Sequence, residues 1–457
     1  MDLYGRTVIY SSVDFVDRTN IIDVLSAAIP VHSANVTQMN YLYDYYKGKQ
    51  DIRNRADKTI RSDIDYRICE NRCKEIVDFK EGYAIGDPIQ YNDRTGANQN
   101  AINELNSIMD YEGRNHLDEQ TVEWNLIAGT AYKIALPREE QEGISNIEIH
   151  SLDPRETFII YSSGFRHERL CSVWFYTDSE NNTYYLVYTP DKYYKVLNAE
   201  EIVEEADNGI GMIPIVEFPC NNARLGAFES IVGMQDALNL IDSDRVNAVA
   251  QFVQSLIVAT NCNFEDGITA SAIMQSGIVR LTSADGIHQD IKVLTQELNQ
   301  SQTQTLKQDI YNAILTICAM PNRNGGSSTS DTGIAVVYRD GWSAAETWQK
   351  KYEVVYKRAE RLFLTVCCAI FDKVGGPKLN PSDIEVKFTR KNYENIYQKA
   401  QVFDILSKNE FIAKRYPFIL SGLFPDPEEA YKESLKDIEA AEAASREALN
   451  ATVREDV

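Results

Sequence analysis

Apolar positions along the chain change their period, and the changes divide it. From residue 37 to 82 they recur at helical spacing, after which GYAIGDPIQY, with Gly82, Gly86 and Pro88, marks a change to extended structure. Helical spacing returns near Asn98 to Met109 and from Asp118 to Ala128. Between Gly129 and Phe218, clusters of β-branched and aromatic residues (IEIH, TFIIY, SVWFYT, TYYLVYT, KYYKVL) alternate with Asp, Asn, Gly and Pro turns, which predicts a run of strands. The N-terminal half therefore reads as an α+β region.

Beyond Pro219, Phe228, Ile231, Val232, Leu238, Ile241, Val249, Val253 and Leu256 predict one helix of about thirty residues, roughly 45 Å long at 1.5 Å per residue. Strand-like GIVRL (277–281) and DIKVL (290–294) come next. A second helix from about Gln296 to Met320 carries Leu298, Leu306, Ile310, Ile314 and Ile317, so the two helices and the small β tip predict a protruding hairpin. Pro321 stops the second helix, and PNRNGGSSTSDTG reads as a loop. A third helix, about Ser343 to Lys373, places Trp348, Tyr352, Val355, Ala359, Leu362, Phe363, Val366 and Ile370 on one broad stripe. Gly375-Gly376-Pro377 ends it, SDIEVKFT reads as an isolated strand, and 393–408 and 427–450 are helical. The last of these is rich in Ala and Glu and has no face wide enough for a core.

At 44% hydrophobic and 25% charged, the 457 residues have the composition of a globular protein. The longest apolar stretch, Leu362 to Phe371, is about half of the ~18 to 20 residues a membrane span needs, and MDLYGRTVIY lacks the basic and apolar regions of a secretory leader. No membrane association is expected. Eight irregularly spaced cysteines fit free or buried thiols in a reducing compartment, where the Asn-Xaa-Thr sites at Asn35, Asn181 and Asn450 stay unglycosylated.

Candidate chemistry is sparse. No glycine-rich loop ends in Gly-Lys-Ser/Thr, and Gly325 to Ser330 lacks the lysine that would counter phosphate charge. Gly209-Ile210-Gly211 runs straight into Met212-Ile213-Pro214, which is not a dinucleotide fingerprint. The five histidines are scattered, and Cys69 and Cys73, four apart on an expected helix, have no second ligand pair, so they read as packed thiols. Asp63/Asp65 and Asp242/Asp244 stand two apart, point to different sides of a helix and read as solvated faces. No enzyme, metal site or cofactor is expected.

Several phrases, in order, resemble one family: the portal proteins of tailed bacteriophages, in particular those of long-tailed siphophages of Gram-positive hosts. Tyr41 to Ile52 (YLYDYYKGKQDI) is similar to the family's aromatic opening, and Asn71 to Tyr91 (NRCKEIVDFKEGYAIGDPIQY) to its next segment. Gly129 to Tyr132, Leu152-Asp153-Pro154 and Phe158 to Tyr161 follow in place. Ile213 to Phe218, then Asn221, Gly226, Phe228 and Glu229, resemble the approach to the first stem helix, with Asp236, Asn239, Asp244 and Asn247 at fitting positions. Asp331 to Ala335 departs from the family's wording there, whereas Leu406-Ser407-Lys408 and Asp426 to Glu429 are similar to its ending.

The resemblance implies an α+β, mainly helical, ring-forming portal fold with wing, long-helix stem, small α/β clip, tunnel loop and helical crown. The ring, usually of twelve subunits, would sit at one capsid vertex as the channel for double-stranded DNA in packaging and ejection. It divides the chain into wing (1–225), first stem helix (226–257), clip (258–295), second stem helix (296–320), a loop region containing the tunnel loop (321–346), the long helix and strand of the wing (347–392) and the crown (393–457). Implied partners are further copies of the chain, passing DNA, terminase, a head-tail adaptor, and the scaffolding and major capsid proteins. The implied location is the virion, with assembly in the host cytoplasm.

A formal charge of −22 opposes tight adhesion to DNA, which suits a conduit that must let DNA slide. Glu229, Asp236, Asp242 and Asp244, against the single base Arg245, are expected on the channel face of the stem. Residues 322–361 instead hold seven bases and five acids. From these, Lys350 and Lys351 are expected near the constriction, and Tyr338, Arg339, Asp340, Gly341 and Trp342 at the tip of the tunnel loop. Ile278, Val279, Ile291 and Val293 are expected to join neighbouring subunits through clip strands. The competing readings are a helical scaffold that never touches DNA and a DNA-processing nuclease; the latter needs a carboxylate cluster that the sequence lacks.

Overall fold

Residues 3–58, 63–138, 145–253, 256–260, 290–294, 300–322, 341–388, 396–409, 411–424, 427 and 430–436 are described in the computed structural model of the chain. After strand β1 (Ile9–Ser11), helix α1 (Ile21–Tyr46) runs through Pro30 and closes where the Lys47 N–H donates to the Tyr43 carbonyl. Gly48, at φ +78°, then turns the chain away. The helix expected across 37–82 is therefore broken: a 3₁₀ turn (Asp51–Asn54) and an extended stretch precede α2 (Arg72–Ile85), which Asn71 caps by accepting from the Lys74 N–H. Cys69 and Cys73 consequently do not share a helix face. Burial pushes both thiols above their ordinary range.

Strand β2 (Gln90–Asp93), α3 (Gln99–Tyr111) and α4 (Arg114–Ala128) lead to the expected strands. These are β3 (Thr130–Pro137), β4 (Ile147–Leu152), β5 (Thr157–Ser162), β6 (Arg169–Thr177), β7 (Thr183–Tyr188), β8 (Lys192–Leu197), β9 (Glu201–Asp207) and β10 (Ile215–Pro219). Strands β5 to β9 form an antiparallel meander to which β1 adds in parallel beside β5. Cross-strand rings such as Tyr176 on Tyr184, stacked at 5.3 Å, knit the meander. The start of α1 lays Ile21, Val24, Leu25 and Ala28 on it.

A second sheet, ordered β10-β3-β4, packs against α4 and the long helix described below. Gly129 joins α4 to β3 at φ +80°, where a Cβ would lie 2.0 Å from the Arg224 carbonyl oxygen, so the junction requires glycine.

Helix α5 (Val232–Val253) is shorter than the thirty residues expected, because Glu229–Ile231 is a 3₁₀ turn and Leu256–Thr260 is already strand β11. Its partner β12 (Asp290–Leu294) pairs antiparallel with it, Ile291 opposite Ala259 and Val293 opposite Ile257. Helices α6 (Gln300–Ile317) and α7 (Trp342–Val374) follow. The 33-residue α7 is the spine of the largest core, bringing Tyr352, Tyr356, Phe363, Val366 and Ile370 against Phe218, Val216 and Ala131. Strand β13 (Ile384–Lys387), expected to be isolated, instead pairs with β2.

Buried among these elements is a network of compensating charges: Lys133 meets Asp118 and Glu360, Arg114 meets Asp118, and the Tyr91 hydroxyl donates to Glu360. Helices α8 (Ile396–Ser407) and α9 (Tyr416–Ser421) pair at the C-terminal side around Phe403, Phe418 and Phe424.

Candidate functional site

The two expected stem helices meet through polar contacts. Lys307 on α6 reaches Asp242 on α5 at 2.8 Å and Glu70, from the extended stretch before α2, also at 2.8 Å. The Arg245 guanidinium donates to Gln304 Oε1 at 2.7 Å, and the Arg72 guanidinium lies 4.5 Å from the Tyr311 ring centre. Burial pushes the Asp242 carboxyl up. Burial also opposes ionisation of Glu70, but Asp242, Lys307 and Arg72 outweigh it and hold Glu70 low.

The inward side of α5 carries a polar column that the sequence reading missed. Gln235, Asn239, Ser243 and Asn247 recur every fourth residue, and all are buried. Each accepts a backbone N–H from residues 66–72, running antiparallel: Tyr66 to Asn247 (2.7 Å), Ile68 to Ser243 (2.9 Å), Glu70 to Asn239 (2.9 Å) and Arg72 to Gln235 (3.2 Å). Asn247 Nδ2 and Gln235 Nε2 donate back to the Tyr66 and Glu70 carbonyls. Gln50 joins this column to α1, with Oε1 accepting from Gln235 and Asn239 and Nε2 donating to the Tyr45 carbonyl. An uncharged polar residue at every fourth place of α5, from 235 to 247, was the available signal.

The four acids expected on one channel face do not share a face. Glu229 is buried before the helix starts, accepting from Arg6 Nη2 at 2.6 Å and from the Gly5 and Gly226 N–H groups. Asp236 accepts from the Tyr45 hydroxyl at 2.8 Å, and Asp242 is held by Lys307. Only Asp244, 3.7 Å from Arg55, keeps more than half of its side chain exposed, at 55%. At 100° per residue these positions diverge, so acidity counted along the helix does not make an acidic face. Among the described residues, the exposed large apolar side chains of α5 and α6 are Leu240, Val246, Val249, Leu306 and Ile317.

Trp342 is not the tip of an exposed loop. It opens α7, is half-buried, and packs on Phe79 and Tyr83 of α2 at 5.9 and 6.3 Å between ring centres. Gly341, at φ +83°, caps the helix, its carbonyl accepting from the Ala344 and Ala345 N–H groups. Tyr338, Arg339, Asp340, Ile278 and Val279 lie outside the described residues, as do 428, 429 and 437–450 of the last expected helix. Ile291 and Val293 sit on β12, one edge of which is taken by β11 of the same chain.

On α7, Lys350 pairs with Glu346 at 3.4 Å and Lys357 with Glu353 at 3.6 Å. Lys351, Arg358 and Arg361 are exposed and make no ion pair among the described residues. Seven residues separate Lys351 from Arg358 and three separate Arg358 from Arg361, which puts the three on one side of the helix. Buried Lys80 of α2 lies 3.3 Å from the centre of the Trp348 ring on α7, with no ion pair among the described residues. Burial pulls its ammonium down to about 8.

Among the described residues no group of three or more His, Cys, Asp or Glu is arranged to hold a metal, and no helix is long and apolar enough to cross a membrane. A family model described as phage portal protein, SPP1 Gp6-like, matches residues 26–444. The chain is also similar to two solved structures, described as the neck of an empty GTA particle computed with C6 symmetry and the neck of a native GTA particle computed with C12 symmetry. The TM-scores are 0.45 and 0.43 and the identities 12% and 13%; each match covers 78% of this chain, and 91% and 90% of the other. No curated protein matches the chain by sequence.

Proposed function

This chain belongs to the SPP1 Gp6-like family of phage portal proteins, and from that membership we propose that it closes into a ring of twelve copies at one capsid vertex, through which double-stranded DNA enters and leaves the head. The observation that supports this is the span of the family match, 26–444, which takes in the meander, α5, α6 and α7 together instead of a single module. The family is structural, and no catalytic role is assigned to this chain.

In this reading residues 1–225 and 347–392 form the wing, 226–257 and 296–320 the stem, 258–295 the clip, 321–346 the loop region with the tunnel loop, and 393–457 the crown. The clip receives terminase during packaging and a head-tail adaptor afterwards, and scaffolding and major capsid proteins surround the ring during assembly in the host cytoplasm. The exposed Leu240, Val246, Val249, Leu306 and Ile317 of the stem helices face neighbouring copies. A formal charge of −22 per copy keeps DNA loosely held. The exposed bases Lys351, Arg358 and Arg361 touch phosphate transiently, a role that falls less on Lys350, which Glu346 already engages.

Negative-stain electron microscopy of the purified protein with light-scattering mass tests the proposal. Rings with a central hole and the mass of about twelve chains are expected. A compact monomer or dimer that cuts DNA with magnesium would overturn it.

A further inference from the structure

The contact between α5 and residues 66–72 joins two different repeats that nearly coincide. Four residues of α-helix advance about 6.0 Å, and two residues of extended chain advance about 6.6 Å. That near-match is why acceptors at 235, 239, 243 and 247 meet the N–H groups of 72, 70, 68 and 66 in succession. Alternate residues of an extended chain point their N–H groups to opposite sides, so those of Arg67, Cys69 and Asn71 are turned away from the helix.

We propose that Gln235, Asn239, Ser243 and Asn247 are positioning residues that set the axial register of α5 on the strap formed by residues 66–72, and that they allow other registers only in whole rungs. A slip by one strap residue would present no donor to any acceptor. A slip by two brings the next N–H to each acceptor and re-forms three of the four rungs. The column reads backbone and not side chains, so it specifies a spacing and leaves the choice of rung to other contacts. Two contacts make that choice: Gln50, bound to both Gln235 and Asn239, and Lys307, which ties Glu70 to Asp242. Every bond in the column is polar and can be exchanged for an equivalent one, while Val232 and Leu238 of the same helix, buried in the largest core, add to the preference for the native rung. The height of α5 on the wing is thereby stepped, not continuous. The inference concerns the single chain, and it extends to the stem of a ring only through the function proposed above.

Two measurements on the full-length chain test it. In hydrogen exchange resolved to single amides, Tyr66, Ile68, Glu70 and Arg72 are expected to exchange at least tenfold more slowly than Arg67, Cys69 and Asn71; uniform exchange along the strap overturns the proposal. Genetically encoded spin labels at exposed Ser26 on α1 and Val249 on α5, diluted with unlabelled protein, then report the register. The wild type is expected to give a single distance, and Asn239→Ala with Gln50→Ala a second population displaced by up to about 6 Å. A single unshifted distance, or featureless broadening, overturns the stepped register. Should that double variant fail to fold, Ser243→Ala removes only one rung. It is expected to speed Ile68 exchange at least tenfold while Glu70 stays slow, and unchanged exchange at Ile68 counts against the column. Because neither readout requires a ring, failure here is distinguishable from failure of the portal assignment.

Discussion

Lys133 Nζ on β3 lies 3.2 Å from Glu360 Oε2 on α7, and neither side chain has more than 2% of its surface exposed. Burial alone would depress the lysine, but Asp118 and Glu360 outweigh it and hold the ammonium above its ordinary range. The pair ties the second sheet to the spine helix at the point where Tyr91 and Tyr356 also converge.

Removing one partner strands the other's charge in the core. Lys133→Met is expected to cost about 3–5 kcal/mol in denaturant unfolding, and Lys133→Met with Glu360→Gln to lose less than the single change. A cost under about 1 kcal/mol for the single variant would show that the network does not hold the core.

Lys80 and His32 give the stability curve two slopes of the same sign. Burial lowers Lys80 to about 8 from 10.5, and it lowers His32, whose Nε2–H donates to the Arg155 carbonyl at 3.0 Å, to about 4 from 6.5. Between each pair of values the unfolded chain holds a proton that the folded chain does not. The contribution of each group therefore rises with pH, from about 4 to 6.5 for His32 and from about 8 to 10.5 for Lys80, by at most about 1.4 kcal/mol per unit, against the opposite slope of Glu81, raised to about 7, and of buried thiols such as Cys73. Urea unfolding across pH checks this: Lys80→Met should lower the slope between about 8 and 10.5, and His32→Gln the slope between about 4 and 6.5. A slope unchanged by its own variant refutes the assignment for that residue.

In the proposed portal, the exposed bases of α7 separate DNA handling from folding. Lys351→Glu with Arg358→Glu and Arg361→Glu is expected to leave the unfolding free energy within about 0.5 kcal/mol per site and the rings intact, because the three make no ion pair among the described residues. DNA retention in assembled particles should fall. Lys350→Glu, which breaks the pair with Glu346, should affect retention less. Equal retention in all variants would remove these bases from the channel.

The aromatic strands of 129–218, the spine stripe of α7 and helices α5 and α6 were legible in the sequence, because burying one face of a strand or helix imposes a period on neighbouring residues. The order of family phrases was legible for the same reason: it follows the chain. What failed was inference from residue type to exposure. Asp242 read as a solvated acid and Asp236 as an acid of the channel face until Lys307 and Tyr45, far away in sequence, are brought to them. Trp342 read as a loop tip until α2 supplied Phe79 and Tyr83. Residues 66–72 read as helix because the acceptors that keep them extended lie on α5, more than 160 positions onward. The sequence by itself determined the elements whose signal is local period, and with them the family. Only the tertiary structure decided which polar groups are buried and paired, because the cost of removing a charge or an amide from water depends on the groups packed around it, and that neighbourhood exists only once distant segments have met.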